Sequence, residues 1–321
     1  MNVTEIKAKQ LNPGKFIATQ VAEIRKAVGD GLAINALSGG VDSSTVTLLG
    51  HRALGDRLQT YFIQNGLMRE GEPERVVKLF ARLGVKVRLV DAQDEFFAAL
   101  QGVVDPELKR EAITQTFYKQ VFGRLVRESG AKHLLQGTIL TDIDETAAGI
   151  KRQHNVFEQI GIDPQEAFGY QIVEPVVQLR KDGVRKVALA LGLPAELAKR
   201  PPFPGPALAA RVIGEVTREK IALVRQATAI TERMLAGVKA FQNMTILHDD
   251  RVTGMRDNKR EFGLQLEIRC WDSLDARTAK PTRLPWNKLE ALAKALVSKV
   301  PGVVSVTYGI APKPPSTMEV V

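Results

Sequence analysis

Two hydrophobic rhythms alternate along the first 200 residues. Short runs such as GLAINA (31–36), RLQTYFI (57–63), VKVRLVDA (85–92), KHLLQGTI (132–139) and YQIVEPV (170–176) are rich in branched and aromatic side chains and bounded by turn residues, which predicts five strands. Between them lie stretches whose apolar residues recur every three or four positions: 43–54, EPERVVKLFARLG (72–84), DPELKREAITQTFYKQVFGRLVRES (105–129) and RKDGVRKVALALG (180–192). The last is stopped by Gly192, with Pro194 just beyond it. Strands separated by helices need crossover connections, so the pattern predicts an α/β fold, a doubly wound parallel sheet covered on both faces. In such sheets ligands bind at the carboxyl ends of the strands, where the strand order reverses.

The rhythm breaks at RPPFPGPALAAR (200–211), where prolines 201, 202, 204 and 206 exclude a helix or an interior strand. This marks a stiff boundary between two domains, 1–200 and 201–321. Beyond it the pattern predicts a helix over 217–236, strands at FQNMTILH (241–248) and FGLQLEIRCW (262–271), a helix over 286–299 and a strand at VVSVTYGIA (303–311), hence a smaller α+β domain. The closing PKPPSTMEVV is too proline-rich for a strand yet ends in an apolar pair, so it either frays or docks.

A chain of 321 residues, 44% hydrophobic and 25% charged, is long enough to bury cores for two domains. It has no apolar leader and no uncharged run approaching the ~18 residues of a membrane span, so a cytoplasmic protein without membrane contact is expected. The single cysteine, Cys270, has no disulfide partner and reads as a buried strand residue. The net charge of +9 is concentrated late, with 18 Lys and Arg against 12 Asp and Glu in residues 201–321, which suits an acidic ligand there. No basic run with interleaved aromatics appears, so nucleic acid is not an expected partner.

The chemistry begins at LSGGVDSSTV (37–46), directly behind the first strand. A strand that breaks at Gly39-Gly40 and restarts as a helix near Ser43 leaves backbone N–H groups unpaired at the positive end of a helix dipole, which is an anion site. No lysine follows the glycines as a Walker loop requires, and G-x-G-x-x-G is absent. Ser38-Gly39-Gly40-Val41-Asp42-Ser43-Ser44 instead resembles, residue for residue, the pyrophosphate loop of the N-type ATP pyrophosphatases.

The likeness extends from end to end to one branch of that superfamily, the ATP-pyrophosphatase subunit of GMP synthetase. It runs through NPGKFI, DPELKR (105–110), QGTILTDIDET (136–146), IKRQHN (150–155), VEPVVQLRKDGVRKVALALGLP (173–194), PFPGPALAARVIGEVT (202–217), RLPW (283–286), VPGV (300–303) and KPPSTMEV (313–320). This resemblance implies an adenine nucleotide alpha hydrolase-like sheet followed by a C-terminal dimerisation and substrate domain. It implies ATP-dependent amination of xanthosine monophosphate to GMP through an adenylated intermediate, with AMP and pyrophosphate released. No class-I glutaminase domain precedes the sheet, so a separate glutamine amidotransferase partner is expected to supply ammonia, and a homodimer is expected.

The resemblance also assigns residues. Ser38, Gly39, Gly40, Val41, Asp42, Ser43 and Ser44 would wrap the β- and γ-phosphates, with Asp42 holding Mg²⁺ against them. Gly137 and Thr138 would line ATP, and Asp142 and Glu145 are carboxylates available to metal or substrate. Lys181 would neutralise charge on the leaving pyrophosphate, with Asp182 beside it to fix that lysine. Arg110, Arg211, Lys313 and Glu319 match positions used around the acceptor nucleotide; the cations suit a phosphate and Glu319 suits purine N–H groups. The sequence departs from the family at Gln64 in IQNGL, at Gln153 and Phe157-Glu158 flanking a retained His154, at Pro201 before PFPGP, and at Arg256. These departures keep open a paralogous reading, with the same adenylating loop serving another acceptor.

Overall fold

The computed structural model describes residues 3–147, 170–198, 205–273 and 278–320, the side chains of residues 145–147 and 256 excepted. Its contacts divide the chain into two units. One comprises Met1–Gln64, Pro73–Ala92 and Thr114–Pro202; the other comprises Asn65–Glu72, Gln93–Ile113 and Phe203–Val321. The proline run thought to part the domains lies largely outside the described residues, and two segments well upstream of it group with the second unit.

The first unit is built on five parallel strands: β1 (Ala33–Ala36), β2 (Leu58–Gln64), β3 (Val87–Asp91), β4 (His133–Leu135) and β5 (Gln171–Val173). Their order is β3-β2-β1-β4-β5, so the winding reverses between β1 and β4. Ala33 pairs with Leu58 on one side and His133 on the other. The longer helices, in chain order across both units, are α1 (Pro13–Val28), α2 (Val41–Leu54), α3 (Glu72–Arg82), α4 (Gln93–Leu100), α5 (Pro106–Gln115), α6 (Gly123–Ser129), α7 (Leu140–Ala147), α8 (Lys181–Ala190), α9 (Arg218–Met234) and α10 (Trp286–Lys299).

NPGKFI explains how α1 starts: Asn12 accepts the Lys15 N–H at 3.0 Å, and Pro13 occupies a first-turn position where no N–H is needed. Helices α1, α2 and α8 pack on one another, and Ile24, Leu49, Val184 and Val187 on them are fully buried. The single helix expected over 105–129 is α5 and α6 joined by a π-helical stretch, Thr116–Phe122, a widening that periodicity cannot announce.

In the second unit Thr217 caps α9, its hydroxyl accepting the Lys220 N–H at 3.2 Å. Strands β6 (Gln242–Arg256) and β7 (Lys259–Asp272) form a long antiparallel hairpin, β8 (Lys280–Pro281) extends the sheet, and β9 (Val303–Tyr308) lies parallel to β7. The hairpin turns at Asp257-Asn258, both at positive φ (49° and 59°), the geometry whose twist matches the strands. Gly254 and Gly263 are required where Val304 crosses them, because a Cβ there would lie 2.6 and 2.4 Å from its side chain. Cys270 is buried in β7 as expected.

The tail does not fray. Lys313 and Ala279 exchange two backbone hydrogen bonds, at 2.9 and 3.0 Å, and Met318 joins a buried cluster with Met244, Ile246, Trp271 and Ala279.

Candidate active site

In the first unit the SGGVDSS segment bridges the end of β1 to the start of α2, beside the reversal of strand order. Gly39 takes φ +78°, open to glycine at little cost. Gly40 is the N-cap in extended conformation, so α2 begins at Val41, two residues earlier than its periodicity suggests. The first intrahelical bond runs from Ser44 N–H to Gly40 C=O at 3.0 Å, leaving the N–H groups of Val41, Asp42 and Ser43 ahead of the hydrogen-bond ladder. The hydroxyls of Ser38 and Ser43 lie 2.9 Å apart, and Ser38 Oγ accepts the Gly40 N–H at 3.3 Å, so the loop is cross-braced in a tight curl.

Beneath it sits a buried polar stitch that sequence patterning does not single out. Asn35 Nδ2 donates to Thr47 Oγ1 at 2.6 Å, Thr60 Oγ1 donates to Asn35 Oδ1 at 2.8 Å, and Thr47 Oγ1 donates to the Ser43 carbonyl at 2.8 Å. The three side chains tie β1, β2 and α2 directly under the loop. Its only trace in the sequence is polar residues at strand and helix positions that should be apolar.

Gly137 approaches from the end of β4. A Cβ there would lie 3.2 Å from Ser43 N and 3.3 Å from the Asp42 carbonyl carbon, so a side chain would fill the space over the first turn of α2. Gly137→Val is therefore expected to lower stability by about 1–3 kcal/mol through overpacking, a loss that thermal melting checks. Thr138 is buried beside Gly137 and accepts a hydrogen bond from Gln136 Nε2 at 3.1 Å.

Lys181 is the first residue of α8, and its Nζ donates to Asp42 Oδ2 at 2.5 Å. Asp182 does not hold that lysine; its Oδ1 accepts the Gly183 N–H at 2.8 Å and braces its own helix. Burial pushes the Asp42 carboxyl above its ordinary range, opposed by Lys181, while the Asp142 charge raises it further and Arg185 lowers it. Asp142 also accepts the Ile139 N–H at 3.0 Å at the start of α7. The second oxygen of Asp42, Oδ1, is buried without a donor. An acceptor so left suits a cation, and Mg²⁺ fits. Among the described residues no cluster of three or more His, Cys, Asp or Glu could hold a metal, so such an ion would take most of its ligands from substrate phosphates and water.

Arg110, Arg211, Lys313 and Glu319 all belong to the second unit. Arg211 is fully buried, with Nε 3.5 Å from Glu319 Oε2. Gln242, which carries no signal in the sequence because a glutamine at a strand start is unremarkable, donates to Glu319 Oε1 at 3.0 Å. Lys313 is half-buried and Arg110 exposed. Glu145 has no described side chain; Gln153, His154, Phe157, Glu158 and Pro201 lie outside the described residues.

Comparison with known proteins adds an independent observation. The chain is 45% identical over 95% of its length to a protein of Archaeoglobus fulgidus named as one subunit of glutamine-hydrolyzing GMP synthase, covering 98% of that protein. The corresponding subunit of Pyrococcus furiosus is 46% identical over 95% of this chain and is itself covered to 96%. The chain belongs to this family of GMP synthase subunits. The family model for the GMP synthase C-terminal domain matches residues 230–320, and that for asparagine synthase matches 25–257. The GMP synthase of Aeropyrum pernix is 44% identical over 96% of this chain, which covers only 60% of that longer protein. The parallel sheet of the first unit and the mixed sheet of the second are consistent with that membership. Among the described residues, no helix is long and apolar enough to cross a membrane.

Proposed function

We propose that this protein is the ligase that converts xanthosine monophosphate to GMP with ATP and ammonia. The observation that carries the reading is the open first turn of α2, cradled by SGGVDSS and bridged by the Asp42–Lys181 contact, in a chain matching a GMP synthase subunit over nearly its whole length. The xanthine 2-oxygen attacks the α-phosphorus of ATP, and the bond to the β-phosphate oxygen breaks, releasing pyrophosphate. Ammonia then adds at C2, AMP leaves with the oxygen, and a proton is lost to give the amine.

Placement supports the following roles. The N–H groups of residues 41–43 and the hydroxyls of Ser38 and Ser43 cradle the β- and γ-phosphates. Lys181 stands where charge builds on the leaving pyrophosphate, and Asp182 secures the helix that carries it. Asp42, with Asp142 beside it, holds Mg²⁺, which when bound screens the triphosphate from these carboxylates. Gly137 and Thr138 line the nucleotide. In the second unit Arg110, Arg211 and Lys313 take the acceptor's phosphate, and Glu319 accepts from purine N–H groups.

The partner is a glutamine amidotransferase that delivers ammonia, a reading supported by the relatives' designation as one subunit of a glutamine-hydrolyzing enzyme. A homodimer through the second unit is supported by Met255 and Phe262, 70% and 72% exposed on one face of the β6–β7 hairpin. The reaction belongs in the cytoplasm, which suits the free thiol of Cys270.

The test is AMP release by the purified chain. Ammonium ions with xanthosine monophosphate are expected to support it, and glutamine alone is not. Robust glutamine-dependent synthesis would overturn the partner assignment, and AMP release with a different acceptor only would establish the paralogous reading.

A further inference from the structure

We propose that Lys109 is a positioning residue for acceptor recognition: by holding the Val212 carbonyl it sets the spacing of Arg110 and Arg211. The inference rests on the reading that these two arginines bind the acceptor nucleotide.

Lys109 lies on α5 with none of its surface exposed, and its Nζ donates to the Val212 carbonyl at 2.9 Å. This bond joins segments 103 residues apart in sequence. Arg110 follows Lys109 directly, and Arg211 directly precedes Val212. One contact therefore ties together the two peptide segments that carry the arginines.

Both ends of the tie are rigid. The Lys109 N–H bonds the Asp105 carbonyl at 3.0 Å, while Asp105 Oδ1 accepts the N–H groups of Glu107 and Leu108 at 2.9 Å each. On the other side Val212 ends a 3₁₀ turn, Ala207–Arg211, and pairs with Leu247, whose carbonyl accepts the Ile213 N–H at 2.9 Å. Arg211 is thus fixed on a braced backbone and faces Glu319.

Stability alone does not account for an ammonium here. Burial drags the Lys109 pKa down, and Lys220 adds to this while Asp249 and Asp105 oppose it, so the charged form is held at a cost. A methionine has nearly the same length and shape and would fill the space without that penalty. What methionine cannot do is hold the carbonyl, and recognition of an acidic group by an arginine is sensitive to displacements of an ångström.

The experiment uses the full chain with ATP, ammonium ions and xanthosine monophosphate, measuring AMP release. Lys109→Met is expected to raise the acceptor KM at least tenfold with the ATP KM within twofold of wild type. Lys109→Gln, which retains a donor, is expected to recover part of the loss. In an Arg211→Gln background, Lys109→Met should add less than a further twofold, because it acts through Arg211.

A wild-type acceptor KM in Lys109→Met, equal rises in both KM values, or effects that multiply in the double variant would each overturn the proposal. Should Lys109→Met fail to fold, Lys109→Gln carries the same double-variant comparison. Arg211→Gln alone separates the two layers. If it leaves the acceptor KM unchanged, the acceptor reading falls and this inference with it. If it raises the KM while Lys109→Met does not, only the inference falls.

Discussion

Replacing Asp42 by asparagine is expected to lower the rate of AMP release by on the order of 10²–10³-fold while leaving the chain folded. The carboxylate is the half-buried acid in the first turn of α2, with one oxygen on Lys181 and the other without a donor. Asparagine keeps the shape, gives up the charge and brings an N–H₂ toward a lysine. Stability should move the other way. A carboxyl whose native pKa is raised binds its proton more tightly folded than unfolded, so native stability falls as pH rises from the ordinary carboxylate range toward the raised value. Asparagine removes that penalty, and its melting temperature near neutral pH should equal or exceed wild type. Rates across a Mg²⁺ titration, beside thermal melts, check both halves. A wild-type rate at saturating Mg²⁺ would remove Asp42 from the metal and phosphate chemistry.

Deleting residues 313–321 is expected to abolish synthesis or raise the acceptor KM beyond measurement while ATP binding survives, because the ATP-loop residues and the tail belong to different units. The deletion removes Lys313 and Glu319 and also takes Met318 out of its cluster, a burial worth about 1.5–3 kcal/mol, so melting should fall as well. Point variants separate recognition from packing. Lys313→Ala leaves Met318 in place and should cost on the order of 1.5–3 kcal/mol in acceptor binding for a lost charge-assisted bond. Glu319→Gln keeps an acceptor for Gln242 but removes the anion facing Arg211. Wild-type acceptor kinetics in the truncated chain would leave the tail a structural element only.

Much of this is legible in residue order because the relevant forces are local. The run AINA, a Gly-Gly break and a periodic helix fix β1, the loop and α2 whatever lies around them. Helix α4 escapes the pattern because its eight residues follow β3 after Ala92 alone, leaving no turn signal and too little length for a period. The hairpin strands run further than their apolar cores, to Arg256 and from Lys259, since an exposed antiparallel pair tolerates polar residues on both edges of its turn. Composition leaves the tail open between fraying and docking, because its anchor is backbone pairing between Lys313 and Ala279, which leaves no pattern in composition. In the site, glycines and charges name themselves. Gln242 and Lys109 do not, since a buried polar side chain is defined by a partner far along the chain.

The second unit draws its residues from three stretches of chain, and this bears on how such a protein is made and how it can evolve. At roughly 5–20 residues per second of synthesis, Lys109 waits about 5–20 s for Val212 to emerge, so α4 and α5 must stay soluble on the ribosome without their final partners. The same interleaving governs recombination. A crossover at the proline run, which looks like a natural seam, would graft the hairpin and tail of one parent onto the α5 lysine and arginine of another. A chimera that exchanges the second unit whole has to carry residues 65–72 and 93–113 along with everything from 203 onward.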